Sequence, residues 1–326
     1  MDNFIERDFS TVGIIANPLS GKDIRRLVVS ASVVSTHAKA NELVKLYSGL
    51  VSEGIKKVVA MPDLSDITKR AREKFNHQVE TEILKTTVID HEETTIQAAK
   101  EMEKRKLGCV VIFGGDGTCR LASKFLANTP ILAISTGTNN LFPKKIDGTV
   151  AGMVVGKFYN LKNKKDYCFK EQKLDIYINK KYQDSALVDV VISDIPYIGS
   201  KAIWNMDNVK EIFISKVAPE GIGFSSIAFH LTKKQDLINQ CVYINFNDSR
   251  SPKIVKAPIA PGKIEEVLVN KWEVFDSNNL TEVALKSGTI ALDGERTIEF
   301  STSEKPSVKL NLKGPISLIV EKILSV

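Results

Sequence analysis

The sequence predicts an α/β chain in two parts: a doubly wound, Rossmann-like α/β domain over residues 1–155, then an antiparallel β-sandwich domain over residues 156–326. Three observations predict this. Short apolar runs alternate with stretches of helical period in the first half, and the apolar period changes to two after about residue 165. The 326 residues also suffice for two domains of about 150 residues, each with its own core.

Each element follows from local pattern. Residues 12–16 read as a buried strand that runs into the turn-rich Asn17-Pro18-Leu19-Ser20-Gly21. From Thr36 to about Glu53, Leu43, Leu46 and Leu50 share one helical face, and Gly54 ends the helix. Residues 58–61 form a second strand, stopped by Pro62. Asp90 with Glu93 makes a capping-box-like start to a helix carrying Ile96, Ala99 and Met102, which Gly108 ends. A strand at 109–113, a helix at about 118–127, a strand at 131–135 and a helix from Gly148 to about Leu161 follow. Repeated strand–helix units imply parallel strands with crossover helices. Further on, Leu174/Ile176/Ile178, Val188/Val190/Ile192, Ile212/Ile214, Val242/Ile244/Phe246, Val267/Val269 and Val308/Leu310/Leu312 alternate with their neighbours. Many short strands between turn residues argue for an antiparallel sandwich or barrel.

Composition narrows the function classes. With 43% hydrophobic and 26% charged residues, collagen, low-complexity chains and wholesale disorder are excluded. No apolar run approaches the roughly 18 residues that cross a bilayer, and MDNFIERDFS has neither the basic nor the apolar region of a secretory leader. Cys109, Cys119, Cys168 and Cys241 have no ligand spacing and read as free thiols of a reducing cytoplasm. The net charge of +6 favours acidic small molecules, but it is too dispersed to argue for nucleic acid. His37, His77, His91 and His230 fall in no catalytic or ligating spacing, and Trp204 and Trp272 read as packing residues.

Chemistry concentrates in Val110-Val111-Ile112-Phe113-Gly114-Gly115-Asp116-Gly117-Thr118. An apolar strand runs straight into a glycine-rich turn and a helix, and ligands of open α/β sheets bind at the carboxyl ends of strands. Backbone N–H groups of Gly114, Gly115 and Gly117 can approach an anion, and the helix N-terminus adds partial positive charge. Asp116 does not suit a bare phosphate cradle, because a carboxylate about 4 Å from a phosphate costs on the order of 4 kcal/mol at an effective dielectric of 20. It makes sense with a metal between them, or as acceptor of a proton from an attacking hydroxyl. The alternative is a tight turn in which Asp116 caps a helix beginning at Thr118.

Two more loops leave strands in the same direction. Asn17, Ser20, Gly21 and Lys22 offer donors, although Ala16 and Asp23 break the P-loop pattern at two fixed positions. A plain polar turn is the other reading of this loop. Ser135-Thr136-Gly137-Thr138-Asn139-Asn140 supplies hydroxyls and amides suited to phosphate, ribose or adenine. Parallel strands would bring all three loops to one sheet edge as one nucleotide site.

GGDGT, preceded by the NPLSGK loop and followed by Gly137-Thr138-Asn139-Asn140, resembles the superfamily of NAD kinases, diacylglycerol and sphingosine kinases and 6-phosphofructokinase. The second half is similar in order: Ala186-Leu187-Val188-Asp189-Val190-Val191-Ile192 to the ALNDVVI of NAD kinases, Ala218-Pro219-Glu220-Gly221-Ile222-Gly223 to TPTGST, Ala257-Pro258-Ile259-Ala260-Pro261-Gly262 to a proline-bearing stretch, and Leu292-Asp293-Gly294-Glu295 to a late DG element. NPLSGKDIRR and APIAPG look closest to the ATP-NAD kinase-like branch that includes the acetoin-catabolism X proteins. The resemblance implies the NAD kinase-like two-domain architecture, with a cleft between the domains and the C-terminal segment packing back on the first.

It also implies a cytoplasmic kinase. ATP, or polyphosphate, with Mg²⁺ would phosphorylate a hydroxyl such as the 2′-hydroxyl of NAD, and Asp116 would be the catalytic acid. Thr118, Thr138, Asn139 and Asn140 would touch nucleotide, and Asp189 and Gly221 the acceptor. The DGE run is more like diacylglycerol kinases, where Asp293 and Glu295 would serve magnesium or base chemistry, so a diacylglycerol-type lipid kinase is the alternative enzyme; Asp293-Gly294 also suits a hairpin turn. Departures fall on the acceptor side. Val188 replaces an asparagine, and Glu220, Ile222 and Gly223 replace three hydroxyl residues that could bind NAD. A non-catalytic nucleotide-binding accessory protein is the reading from another class. Partners implied are nucleotides or dinucleotides and a second or further copies in a homodimer or homotetramer, with no nucleic acid and no membrane.

Overall fold

The computed structural model describes residues 7–18, 34–86, 91–137, 140–198, 206–247 and 252–326. In chain order the first part runs β1 (Asp8–Ala16), α1 (Thr36–Ser52), β2 (Lys57–Ala60), α2 (Lys69–Lys74), β3 (Glu80–Ile83), α3 (His91–Lys104), β4 (Leu107–Gly114), α4 (Asp116–Ser123), β5 (Ile131–Ser135) and α5 (Gly148–Asn160). The chain continues with β6 (Cys168–Lys170), β7 (Lys173–Ile178), β8 (Lys181–Ala186), β9 (Asp189–Ser193), β10 (Val209–Ile214), α6 (Phe224–Thr232) and β11 (Cys241–Asn245). It closes with β12 (Lys253–Ala260), β13 (Lys263–Val269), β14 (Lys271–Phe275), β15 (Leu280–Glu282), β16 (Gly288–Leu292), β17 (Glu295–Phe300), β18 (Pro306–Asn311), β19 (Ile316–Leu318) and α7 (Val320–Leu324).

Among the described residues the first sheet has the order β3-β2-β1-β4-β5-β19-β6. Strands β1 to β5 are parallel, with Gly13 opposite Val110 and Val110 opposite Ile131. Helices cover both faces, which is why β4 is apolar and buried throughout rather than alternating. Val12, Ile14 and Val111 pack towards α1 and α5, while Ile15, Val110 and Ile112 pack towards α3 and α4. The strand order reverses between β1 and β4, the position where open α/β sheets bind ligands. Two strands come from beyond residue 155: Ser317 of β19 pairs in parallel with Ile131, and β6 runs antiparallel to β19.

The second part is antiparallel. Sheets β14-β11-β10-β9-β16-β17 and β15-β18-β7-β8 face each other over Leu174, Ile176, Ile192, Phe213, Ile290 and Val308. The other face of the six-stranded sheet is covered by α6 and the β12–β13 hairpin, through Ile212, Ile244, Phe224, Ile227, Val255 and Val267.

Several boundaries differ from the sequence reading. The helix after GGDGT begins at Asp116 and stops at Ser123, not at 118 and 127. Residues 187–188 interrupt the strand read through Val188, and Phe246 and Leu312 lie past the ends of β11 and β18. The polar edge strand β3 and the six-residue α2 carry too little apolar period to be read from sequence.

Candidate functional site

The crevice between β1 and β4 is built from backbone and small side chains. The Asn17 amide N–H donates to Phe113 O at 3.0 Å, and its Nδ2 donates to Thr118 Oγ1 at 3.0 Å, so the first loop is tied to GGDGT. Below them Lys39, 2% exposed, reaches from α1 to donate to Pro18 O at 2.7 Å and Asn17 O at 3.2 Å. The glycines make room for specific neighbours. A Cβ on Gly114 would lie 2.5 Å from Thr118 Cβ. Cβ atoms on Gly115 and Gly137 would each lie 2.9 Å from the Asn140 amide, whose Nδ2 donates to Ser135 Oγ at 2.9 Å. The first and third loops therefore both close on the GGDGT turn.

Asp116 is not a cap of the next turn. Gly115 is the N-cap, and Asp116 is the first residue of α4. Its carboxylate accepts the amides of Phe142 at 2.8 Å and Leu141 at 3.1 and 3.2 Å, clipping the GGDGT turn to the end of the third loop.

The second part supplies the opposite wall. Asp293 and Gly294 both have positive φ, 51° and 83°, as a two-residue type I′ hairpin between β16 and β17 requires. The hairpin sets the Glu295 carboxylate 3.7 Å from where a Gly117 Cβ would stand. The Asp293 side chain has no exposure and accepts the amides of Leu187 at 3.0 Å, Val188 at 2.7 Å and Asp189 at 3.3 Å. Burial pushes its carboxyl up from the ordinary range, against the pull of Arg120 and these amides. Cys119 is fully buried; burial, then the charges of Asp116 and Asp293, hold its thiol well above its usual value.

Arg120 joins the walls. It is 3% exposed on α4, donates through Nη1 to Asp184 Oδ2 at 3.2 Å and lies 3.8 Å from Asp293 Oδ2. Lys124 pairs with the same Asp184 at 2.5 Å. Leu187 and Val188 insert into the apolar cluster that holds Cys119, Ala122 and Phe142, so Val188 is a packing residue between the two parts. Ser215 Oγ donates to the carbonyls of Leu187 and Val188. Asp189 is 9% exposed at the start of β9. Gly221 turns against the third loop, its Cβ position 3.4 Å from Leu141 Cδ2.

Of the residues singled out from sequence, Asn17, Gly114, Gly115, Asp116, Gly117, Thr118, Asn140, Gly221 and Glu295 stand around the crevice. Asp189 and Asp293 are braced behind the second wall. Ser20, Gly21, Lys22, Thr138 and Asn139 lie outside the described residues. Lys39, Arg120, Asp184 and Ser215 escaped the sequence reading. Arg120 left one signal, a charge directly between Cys119 and Leu121 on a helix with an apolar face. No cluster of three or more His, Cys, Asp or Glu suited to a metal occurs among the described residues, and no helix there is long and apolar enough to cross a membrane.

Comparison with known proteins divides at the same place as the fold. Residues 12–148 match the ATP-NAD kinase N-terminal domain family, and residues 172–313 match the acetoin catabolism protein X C-terminal domain family. Acetoin catabolism protein X of Cupriavidus necator is 32% identical over 313 residues, 92% of this chain and 87% of that protein. Two crystal structures from Bacillus anthracis str. Sterne, described as diacylglycerol kinases (one of them provisionally), are similar at 13% identity with TM-scores of 0.45 and 0.47, each comparison covering 95% of this chain and 96% of the other. An NAD kinase-type first domain, a second domain of the X type and identity along nearly the whole length make this chain a member of the acetoin catabolism protein X family.

Proposed function

We propose that the chain is a cytoplasmic phosphotransferase. It binds the phosphate tail of ATP (or polyphosphate) at the carboxyl ends of β1, β4 and β5 and passes the terminal phosphoryl group to a hydroxyl held against the second domain. The observation that carries this reading is Glu295. Its hairpin delivers a carboxylate from the second domain to Gly117, one residue past Asp116 at the mouth of the crevice. As the acceptor oxygen bonds to phosphorus, the bond to the leaving diphosphate breaks and the hydroxyl proton passes to a carboxylate. The rest is positioning and charge neutralisation.

The residues fit a nucleotide-borne Mg²⁺, which takes one or two carboxylates and fills its shell with phosphate oxygens and water. Glu295 suits that need; Asp293, fully buried, does not, and Asp116 could share the ion only through the acceptor capacity left beside its bonds from Leu141 and Phe142. When bound, the ion would neutralise the developing phosphate charge. The acceptor favoured by resemblance is the 2′-hydroxyl of NAD, although Ile222 and Gly223 offer no hydroxyls and Leu141 lies against Gly221. A screen of NAD, NADH, diacylglycerol and small polyols with labelled ATP and Mg²⁺ tests the reading. Glu295→Gln should cut turnover by about 100-fold or more while ATP affinity changes little. A second reading, nucleotide binding without turnover, is favoured by the engagement of Asp116 and Asp293 with backbone amides. Calorimetric ATP binding with no product from any acceptor at high protein concentration would establish it.

A further inference from the structure

The buried stripe of α1 carries one residue that its period does not call for. Lys39 shares a face with Leu43, Leu46 and Leu50, and like them it is buried. An ammonium at such a position is costly unless its N–H groups are bonded. Its Nζ donates to the carbonyls of Pro18 at 2.7 Å and Asn17 at 3.2 Å, the first two residues after β1. A carbonyl oxygen carries partial negative charge, so either of these turned up into the crevice would repel a phosphate. Pro18 has no N–H to offer in compensation. Asn17 is thereby held from three sides: its amide N–H on Phe113 O, its Nδ2 on Thr118 Oγ1 and its carbonyl on Lys39. Thr118 belongs to the GGDGT turn, so the grip of Lys39 reaches that turn through Asn17.

We propose that Lys39 is a positioning residue for the phosphate tail. It draws two carbonyl oxygens below the crevice and seats Asn17 on the GGDGT turn, so that the first loop does not meet an anion with acceptors. Buried beneath the loop, Lys39 acts through it and not by contact with the phosphates. This role rests on the phosphate-binding reading of the crevice, and it adds a control of affinity from a helix outside the glycine-rich turn.

Calorimetric titration of the full chain with Mg·ATP, and separately with inorganic tripolyphosphate, tests the role. Lys39→Met continues the apolar stripe at similar volume, and the carbonyls it releases can turn to the open crevice. Its melting temperature should stay within about 5 °C of wild type, while the dissociation constants for both probes rise about tenfold or more. Lys39→Ala leaves room for n-propylammonium, which supplies the missing stem and its N–H groups. Added amine should recover most of the affinity that Lys39→Ala loses, whereas tetramethylammonium at the same ionic strength, having no N–H, should recover none. Unchanged affinity in Lys39→Met would overturn the role and leave the phosphotransferase reading standing. A loss of affinity that tracks a loss of melting temperature, or one that propylammonium does not relieve in Lys39→Ala, would assign the lysine to the fold alone and overturn it too. A wild type that binds neither probe would remove the phosphate site itself, and the role with it.

Discussion

At the scale of single residues, the crevice is held by groups whose geometry does two jobs. The Asp116 carboxylate stands at the mouth of the site and also receives the amides of Leu141 and Phe142. An amide side chain in its place would turn an N–H towards one of those donors. Asp116→Asn should therefore lower stability by about 1–3 kcal/mol in urea melts. A variant that lost turnover with unchanged stability would show that the bracing bonds are unimportant. Gly115 has a similar double demand. The turn needs no Cβ for an approaching phosphate, and the Asn140 amide already occupies that space. Gly115→Ala should displace Asn140 and weaken ATP binding about tenfold or more by calorimetry, with the fold intact. The GGDGT site itself is legible in the sequence because strand, glycines and acid are contiguous. The reason for Gly115 is not, since it lies in Asn140, 25 residues downstream in sequence but adjacent in space.

At the scale of elements, periodicity reveals what is long and half-buried and misses what is short or held from elsewhere. Leu43, Leu46 and Leu50 announce α1, and the alternation of Leu174, Ile176 and Ile178 announces β7. β19, three residues long, exists only because β5 and β6 flank it, and nothing local marks it. The break at 187–188 is likewise set from a distance, by the Asp293 carboxylate taking both amides. α5 shows both sides. Its length is visible, but its site against α1 depends on backbone approach: a Cβ on Gly152 would overlap the Leu46 carbonyl oxygen, and one on Gly49 would overlap that of Thr149. Gly152→Ala should lower stability by about 1–3 kcal/mol, although alanine favours an isolated helix by about 1 kcal/mol. The start of α5 gives a pH signature. Asp147 caps it by accepting the Thr149 amide at 2.8 Å and pairs with Lys45, and Lys45 first, then the amide, holds its carboxyl below the ordinary carboxylate value. A depressed acid stabilises fully above its unfolded value and loses the contribution as pH falls through the folded one. Asp147→Ala should cost about 1 kcal/mol in urea melts from pH 8 to 5, with the difference from wild type shrinking below pH 4.

At the scale of the whole molecule, the two parts are joined by an apolar plug and a buried set of charges. Leu187 and Val188 enter the core of the first domain, and the corner that carries them is fastened by Asp293. Asp293 is compensated by Arg120 from α4, the helix that follows GGDGT directly. The position of Glu295 over Gly117 therefore depends on a guanidinium of the first domain gripping the hairpin of the second. Arg120→Met keeps the volume but removes the cation beside the buried Asp293 carboxylate, which keeps only its amide donors, while Asp184 keeps Lys124. Removing one member of a buried pair costs about 3–5 kcal/mol, largely from the charge left behind. The wild type should unfold in one calorimetric transition and Arg120→Met in two, as the domains lose their link. The loss should also depend on pH in a direction that packing alone would not give. Burial raises the Asp293 carboxyl and Arg120 opposes it, so without the guanidinium the carboxyl takes a proton at higher pH. An acid whose folded value is raised favours the folded state most when protonated, and that contribution is lost as pH rises through the folded value. Arg120→Met should thus regain stability relative to wild type as pH falls from 8 to 5, and adding Asp293→Asn should flatten that dependence. A variant within about 1 kcal/mol of wild type at every pH would mean that the plug alone holds the domains together.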